Sequence, residues 1–244
     1  MLINKDKAIC TPKLILVPYS AHHVPRYHSW MKDPEIQQLT ASEPLSLDEE
    51  NEMQRSWRTD ADKLTFIIGV PDVPISRGTF SFIHGNEGYT AIGDVNLFLQ
   101  QDFDSNAPSE SEGREVLAAE LELMIAEPSM RGKGLGRAAL LLFLQYILEN
   151  KKGIMEEYRA EHAFGFEDGF DFFRVKIGEH NKASRRLFES LGFEQVGEGP
   201  NFFGELELRT AITLDELEGL RRKFGVEAGS EVRYVDAEDH EDNG

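Results

Sequence analysis

One short part of the sequence limits the possible folds most: a strand pattern that runs through a glycine-rich turn straight into an apolar helix. Residues 117–125 are rich in alternating aliphatic side chains, and residues 138–148 have the length and composition of a buried helix. Between them, glycines stand at positions 132, 134 and 136. Such glycines let successive backbone N–H groups face one way, and the helix adds its own unpaired N–H groups and positive dipole end. The turn therefore predicts an anion-binding cradle. Three basic residues add positive charge there: Arg131, Lys133 and Arg137.

The same turn also fits a tight strand-to-helix connection that binds no ligand, and that alternative stays open. Two nucleotide-binding motifs are excluded by single residues. A Rossmann fingerprint needs a third glycine where this chain has Arg137. A P-loop needs Ser or Thr after Gly132-Lys133, where this chain has Gly134. What remains is an Arg-x-x-Gly-x-Gly pattern on a strand-to-helix turn.

Strand and helix patterns interleave along the rest of the chain, which predicts an α/β or α+β fold with a mixed sheet. Ser46 and Thr213 are each followed three positions later by Glu, and these capping boxes predict helix starts.

Residues 150–170 are rich in charged residues and contain several glycines, which predicts a surface insertion. Residues 225–244 carry seven acidic side chains against one arginine and predict a disordered acidic tail after a single domain over 1–224. Further strands are predicted at 14–17, 65–70, 92–99, 172–177, 193–196 and 202–209, and further helices at 24–31 and 182–190.

The formal net charge of −18 over 244 residues argues against nucleic acid or an anionic membrane as a partner, since both reward clustered Lys and Arg. The same charge suits a basic or amine-bearing substrate. Cys10 is the only cysteine, so an intrachain disulfide is impossible and a reducing compartment is expected. The first residues lack a signal-peptide pattern, and the longest apolar run is about half a membrane span. We therefore expect a cytoplasmic protein, with access to the nucleus left open.

Several stretches, in this order, resemble the GCN5-related N-acetyltransferase (GNAT) superfamily and, within it, the N-acetyltransferase 9-like proteins. The resemblance runs from about Leu14 to Thr213. The stretches that carry it are Leu39-Thr-Ala-Ser-Glu-Pro-Leu45, Gly93-Asp-Val-Asn-Leu-Phe98, Met124-Ile-Ala-Glu-Pro128, Arg131-Gly-Lys-Gly-Leu-Gly136, and the helical segment with Asn181, Ser184, Leu187-Phe188 and Leu191-Gly-Phe193. The glycine turn alone is moderately specific, whereas the ordered set is strongly specific.

The resemblance implies a mostly antiparallel mixed sheet that splays open between the strands at 118–126 and 172–177, with about four helices packed on it. It implies acetyl-CoA as acyl donor, and the spacing of the histidines gives no reason to expect a metal. The pantetheine arm would pair with the backbone of Met124 and Ile125, and Asn181 and Ser184 would flank it. The diphosphate would be held by the N–H groups of Gly132, Gly134, Leu135 and Gly136. Asn181 also fits a helix cap, and Ser184 also fits a surface residue.

An amine must be neutral to attack a thioester, and removing its proton at pH 7 costs about 4–5 kcal/mol for lysine and about 1 kcal/mol for an α-amine. A general base therefore helps. Glu120 and Glu122 point to the same side of their strand, since strand side chains repeat every two residues. The resemblance places the base eleven positions before Arg131, at Glu120, with Glu122 second. The alternative is that both are solvated acids on a half-exposed strand.

One position departs from the superfamily. A tyrosine often stands seven positions after the motif Asn to protonate the leaving thiolate, but this chain has Phe188 there. Phe188 is more simply explained by core packing. The coenzyme thiolate would then take its proton from water or from the amine through solvent.

The acceptor side is implied by the resemblance to lie near Ser42 and Glu43, with Asp94 and Asn96 on the neighbouring strand as further candidates. The last two also fit a polar sheet face. A cluster of histidine and aromatic side chains precedes this loop, but its spacing lacks a matching metal-ligand set and is more typical of a core. Its members are His22, His23, Tyr27, His28 and Trp30.

Together these features predict an acetyl-CoA-dependent N-acetyltransferase that modifies a peptide or protein amine by direct attack in a ternary complex. Two alternatives remain: a non-catalytic acetyl-CoA-binding scaffold, and an enzyme for small amines such as polyamines or antibiotics. The choice between α-amine and lysine, and the oligomeric state, stay open.

Overall fold

The computed structural model describes residues 1–73, 82–85, 87–104, 114–162 and 169–236. Their strands form one sheet in the spatial order β4-β10-β1-β2-β3-β5-β6-β7-β9-β8. The strands are β1 (Lys7–Cys10), β2 (Ile15–Pro18), β3 (Lys63–Pro71), β4 (Phe82–His84), β5 (Tyr89–Asp104), β6 (Arg114–Ile125), β7 (Phe172–Gly178), β8 (Glu194–Val196), β9 (Glu205–Thr210) and β10 (Ser230–Val235). The pairs β4–β10 and β6–β7 are parallel and the others antiparallel, so the predicted mixed, mostly antiparallel sheet is confirmed.

Seven α-helices, rather than about four, lie in the described part of the chain. They are α1 (Val24–Met31), α2 (Pro34–Thr40), α3 (Leu47–Thr59), α4 (Leu135–Glu149), α5 (Lys151–Glu161), α6 (Lys182–Ser190) and α7 (Leu214–Phe224). The two predicted capping boxes are confirmed, because in each one the hydroxyl and the following Glu satisfy each other's backbone N–H. No helix within these described ranges is long and apolar enough to cross a membrane.

The helices cover the two faces of the sheet with two separate hydrophobic clusters. One cluster contains nearly all of α4, which is buried on every side because it is apolar all round. Helices α5, α6 and α7 contribute to the same cluster, and we call this side of the sheet the donor face. The second cluster joins α1 and α2 to β2 and β3, and α3 packs beside α1, so the three first helices cover the other side, the acceptor face.

Two sequence predictions about the periphery are wrong. Residues 151–161, expected in a surface insertion, form α5 and bury Ile154, Met155 and Tyr158 in the core. Residues 230–235, expected in a disordered tail, form β10 between β1 and β4, with Tyr234 buried. In both cases the charged residues lie on the exposed side of an amphipathic element, so composition concealed the periodicity. Residues 163–168 and 237–244 of these two predicted segments lie outside the described residues.

Candidate active site

The sheet opens between β6 and β7. These parallel strands pair with each other only over Ala118–Glu120 and Phe172–Arg174. Beyond that point β6 continues to Ile125 paired only with β5, and β7 continues to Gly178 paired only with β9. The predicted splay is therefore present. It leaves a cleft, which we call the opening, whose closed end is the pair Glu120–Arg174.

The register of β5 and β6 decides which backbone groups face the opening. The N–H of Ala126 donates to the carbonyl of Ile92 at 2.8 Å, so the backbone of Ala126 points toward β5. In an antiparallel pair every second residue of a strand bonds to the partner strand, and Glu122 and Met124 therefore also bond toward β5. The backbone groups of the intervening residues, Leu121, Leu123 and Ile125, point the other way. Met124 was predicted to pair with a ligand in the opening, but its backbone faces β5, and the backbone of Leu123 faces the opening instead. The sequence predicts that even- and odd-numbered residues of β6 direct their backbone groups to opposite sides. Only the pairing of β6 with β5 shows that the odd-numbered residues face the opening.

The glycine turn presents a row of unpaired donors at the mouth of the opening. Gly132 and Gly134 have φ of 71° and 78°, the left-handed region that favours glycine, and a Cβ on either would stand in open space. Gly134 begins α4 without a side-chain cap. The six successive N–H groups of residues 132–137 have no hydrogen-bond acceptor among the described residues. This arrangement, with the helix dipole behind it, fits a diphosphate.

The three basic residues of the turn have different surroundings. Arg131 does not stand free: its Nε donates to the carbonyl of Ile125 at 2.9 Å, and its guanidinium lies 3.4 Å from Glu35. Arg137 stacks on the ring of Phe224 at 4.2 Å. Lys133 is exposed. Arg131 therefore fastens the turn to the end of β6.

Helix α6 borders the opening from the other side. The Oδ1 of Asn181 accepts from the N–H of Ser184 at 3.1 Å, so Asn181 caps α6, which is the alternative role that the sequence left open. Leu187 reaches the first turn of α4, 3.8 Å from where a Cβ of Gly136 would lie. Phe188 is buried with its ring 5.1 Å from that of Phe193, so it packs the core and offers no proton.

Polar side chains of the strands beside the opening gather on the acceptor face. Asn96 lies opposite Glu122 and Phe98 opposite Glu120, so alternate residues of β5 and β6 share that face. The parallel pairing brings β7 residues to the same side. The set comprises Asp94, Asn96, Glu120, Glu122, Arg174 and Lys176.

Glu120 is locked in an ion-pair cluster. Its Oε2 accepts from the Nε of Arg174 at 2.9 Å and lies 3.1 Å from the Nζ of Lys176. Arg174 is only 1 % exposed and also donates to Asp102 and Gln100. Because two cations hold this carboxylate, Glu120 ties β6 to β7 across the closed end of the opening.

Glu122, two residues further along β6, is different. Solvent reaches its side chain, and no hydrogen bond or ion pair joins it to another described residue. The surrounding protein desolvates the carboxylate, and the charges of Asp94 and Glu120 add to this effect, so the pKa of Glu122 rises to about 7. A carboxylate that is accessible, unpaired and titrates near neutrality suits a general base.

Asp94 and Asn96 lie beneath the surface. Asp94 is 2 % exposed and accepts from Asn96 Nδ2 at 2.9 Å and Tyr27 Oη at 3.2 Å. Burial raises the pKa of Asp94 to about 6. Both side chains are buried, which does not fit their predicted contact with an acceptor. Asn96 is the cross-strand partner of Glu122. Ser42 and Glu43, in the loop between α2 and α3, make no contact with Asp94 or Asn96 among the described bonds.

The histidine and aromatic cluster is part of the acceptor-face core. The Nδ1 of His23 accepts from the N–H of Ser20, and its Nε2 lies 2.8 Å from the Tyr89 hydroxyl. Burial lowers the pKa of His23 to about 3, so the ring is neutral and both nitrogens are engaged. Within the described ranges, no three or more His, Cys, Asp or Glu side chains form a group that could hold a metal ion.

Comparison with known proteins defines the class. The family model described as acetyltransferase (GNAT) domain matches residues 13–194. The fold is similar to that of spermidine N-acetyltransferase from Vibrio cholerae, solved in complex with CoA and spermine, with a TM-score of 0.55 and 17 % identity over 85 % of this chain and 99 % of that one. The chain belongs to the GNAT acetyltransferase family, and it is an N-acetyltransferase.

Within the family, the chain is similar to the N-acetyltransferase 9 group. Alpha/beta-tubulin-N-acetyltransferase 9 of Drosophila melanogaster is 41 % identical over 215 residues, which cover 88 % of this chain and 92 % of that protein. The N-acetyltransferase 9-like protein of Schizosaccharomyces pombe is 40 % identical over 228 residues, covering 87 % of this chain and all of that protein.

Proposed function

We propose that this N-acetyltransferase takes its acetyl group from acetyl-CoA and transfers it to a protein amine by direct attack in a ternary complex. The observation that carries the proposal is the opening itself. It joins the row of free N–H groups at the start of α4 to an unpaired carboxylate, Glu122, on the acceptor face. A donor and an acceptor can thus meet from opposite sides of one sheet.

The chain's own groups account for binding of the donor. The N–H groups of residues 132–137 would hold the diphosphate, with Lys133 free to add charge. The backbone N–H and C=O of Leu123 and the N–H of Ile125 face the opening and would pair with the pantetheine amides, as a neighbouring strand would. The carbonyl of Ile125 already accepts from Arg131. Leu187 and the capped end of α6 at Asn181 would close the other side.

We assign the general base to Glu122 rather than to Glu120, which the sequence favoured. Glu122 would take the proton from the attacking amine, directly or through one water. Glu120 is a positioning residue, since it holds Arg174 and Lys176 at the closed end of the opening.

The acceptor we propose is a protein amine, and tubulin is the first to test, because a relative at 41 % identity carries tubulin in its name. Removing the proton of an α-amine at pH 7 costs about 3–4 kcal/mol less than removing that of a lysine. Phe188, which lacks the hydroxyl of the superfamily's usual acid, is the observation that favours the second candidate, a non-catalytic acetyl-CoA-binding protein.

The test compares Glu122→Gln with Glu120→Gln, supplying acetyl-CoA and tubulin and measuring free thiol release and the acetylated position by mass spectrometry. Glu122→Gln should lower kcat about 100-fold without weakening donor binding, because the amide cannot accept the proton. In the unaltered chain, kcat/KM should rise with pH through about 7, since the deprotonated Glu122 is the active form.

Glu156→Gln, on the exposed side of α5, is the matched control and should leave the rate unchanged. Full activity of Glu122→Gln at every pH would exclude this base. If acetyl-CoA raises the melting temperature but no amine, tubulin or polyamine, releases thiol, the non-catalytic candidate is correct.

A further inference from the structure

Two charged side chains of opposite sign flank the opening just beyond its closed end. The last paired residues are Glu120 and Arg174, and the next residues on the acceptor face are Glu122 on β6 and Lys176 on β7. At about 3.3 Å per residue, both lie about 7 Å beyond that pair. The proposed base on one strand is therefore matched by an ammonium group on the other.

Lys176 is held by one ion pair, and its ammonium group keeps donors that make no contact with Glu120. Its Nζ lies 3.1 Å from Glu120 Oε2, and its side chain remains 33 % exposed. An ammonium group has three donors, and this contact occupies one of them. Its charge also acts on Glu122 and Asp102. On β9, Glu207 stands opposite Lys176 in the register, but its carboxylate already accepts from Arg209.

The sulfur of the thioester gains negative charge during the reaction, and a positive charge beside it would stabilise that charge. When the acceptor nitrogen attacks, the C–N bond forms, the C–S bond breaks, and the electron pair of that bond goes to sulfur. The position that often supplies a tyrosine hydroxyl to this sulfur is Phe188, which is buried in the core. Of the side chains grouped at the opening, Lys176 is the exposed cation.

We propose that Lys176 is a catalytic residue that stabilises the leaving thiolate. This inference rests on the proposed function, because it requires the thioester to lie in the opening. Lys176 keeps its proton and acts as the counter-ion of the sulfur. The proton that leaves the acceptor nitrogen goes to Glu122 and then, through solvent, to the thiolate. The products are one amide and one thiol, and both side chains return to their starting state.

The test titrates the thiol of CoA bound to the protein, through the ultraviolet absorbance of its thiolate, in the unaltered chain and in Lys176→Met. An ordinary thiol has a pKa of about 8.5, and the bound thiol should titrate about one unit lower beside Lys176. Lys176→Met should remove that shift, and Lys176→Arg should retain it because the charge remains. Lys152→Met, on the exposed side of α5, should behave as the unaltered chain.

Steady-state rates give the second readout. Lys176→Met should lower kcat tenfold or more while the KM for acetyl-CoA changes less than about twofold, because the charge is needed only when sulfur becomes negative. Glu120→Gln controls for the structural effect: it removes the Glu120–Lys176 pair but keeps the ammonium, so the bound thiol should still titrate low.

The inference is overturned if the bound thiol titrates alike in the unaltered chain and Lys176→Met, or if Lys176→Arg loses the shift as completely as Lys176→Met does. Its failure differs from failure of the proposed function. If CoA does not bind, or the unaltered chain releases no thiol, the proposed function is wrong. If turnover occurs and is lost in Glu122→Gln but not in Lys176→Met, only the role of Lys176 is wrong.

Discussion

The two sides of the opening are built in different ways. On the donor face, the groups proposed to bind the donor are backbone N–H groups of one continuous segment, residues 132–137. On the acceptor face, the groups proposed to act are side chains of three strands, with Arg174 and Glu120 separated by 54 positions in the chain. Backbone donors are supplied by any residue whose φ and ψ are right, whereas a side-chain cluster depends on every member.

This difference has a consequence for tolerance to change. The donor side should be sensitive to backbone conformation and insensitive to the identity of most side chains. The acceptor side should be sensitive to single side chains, because a buried charge that loses its partner cannot regain solvation. Three substitutions test this contrast.

The largest effect is expected for Arg174→Met on the acceptor face. It leaves Glu120 and Asp102 without their buried partner, and removing one member of such a pair typically costs about 3–5 kcal/mol. The measurement is the free energy of unfolding in urea. Arg185→Met breaks an exposed pair with Glu189 on α6 and should cost less than about 1 kcal/mol. Equal losses for the two variants would contradict the contrast.

A smaller effect is expected for Gly134→Val on the donor face. Valine is strained at φ 78° and adds a branched side chain within the row of free N–H groups, so the KM for acetyl-CoA should rise about tenfold, or about 1.4 kcal/mol. Gly225→Val is the control, since Gly225 has φ 64° at the end of α7 and open space around it. It should lower stability by a similar amount and leave KM unchanged. A matching rise in KM would mean that strain, not access to the amides, is responsible.

The smallest effect is expected for Asp94→Asn. Asp94 and Glu122 are diagonal neighbours about 7–8 Å apart, so their repulsion is about 0.5–2 kcal/mol. Removing the negative charge should lower the pKa of Glu122 and move the rising limb of the kcat/KM profile about 0.5–1.5 pH units toward acid. A shift toward alkaline pH, or none, would show that Asp94 does not tune this carboxylate. Asn96→Ala keeps the charge of Asp94 and serves as the comparison.

Local patterns predicted most of the fold well. Helices α1 and α6 occupy the predicted residues, and both capping boxes start their helices where Ser46 and Thr213 stand. The predictions fail where composition outweighs periodicity. In β10, Val232 and Tyr234 alternate with Glu231 and Arg233, a strand pattern that the surrounding acidic residues conceal.

The site, like the fold, has features that local sequence predicts and features that it does not. The glycine turn was predictable because left-handed glycines and a following helix act within a few residues. The ranking of Glu120 above Glu122 was not, because both stand between apolar residues and point to the same side of β6. The structure separates them, since Arg174 and Lys176, from β7, contact Glu120 and leave Glu122 exposed.

The sequence by itself determined the family, the glycine turn at the start of α4, and the pair of carboxylates on one strand face. Only the tertiary structure decided which carboxylate is neutralised, which backbone groups of β6 are free, and that a lysine stands opposite Glu122. The physical reason is that hydrogen bonding within a turn is local, whereas charge pairing and desolvation depend on which strands lie side by side.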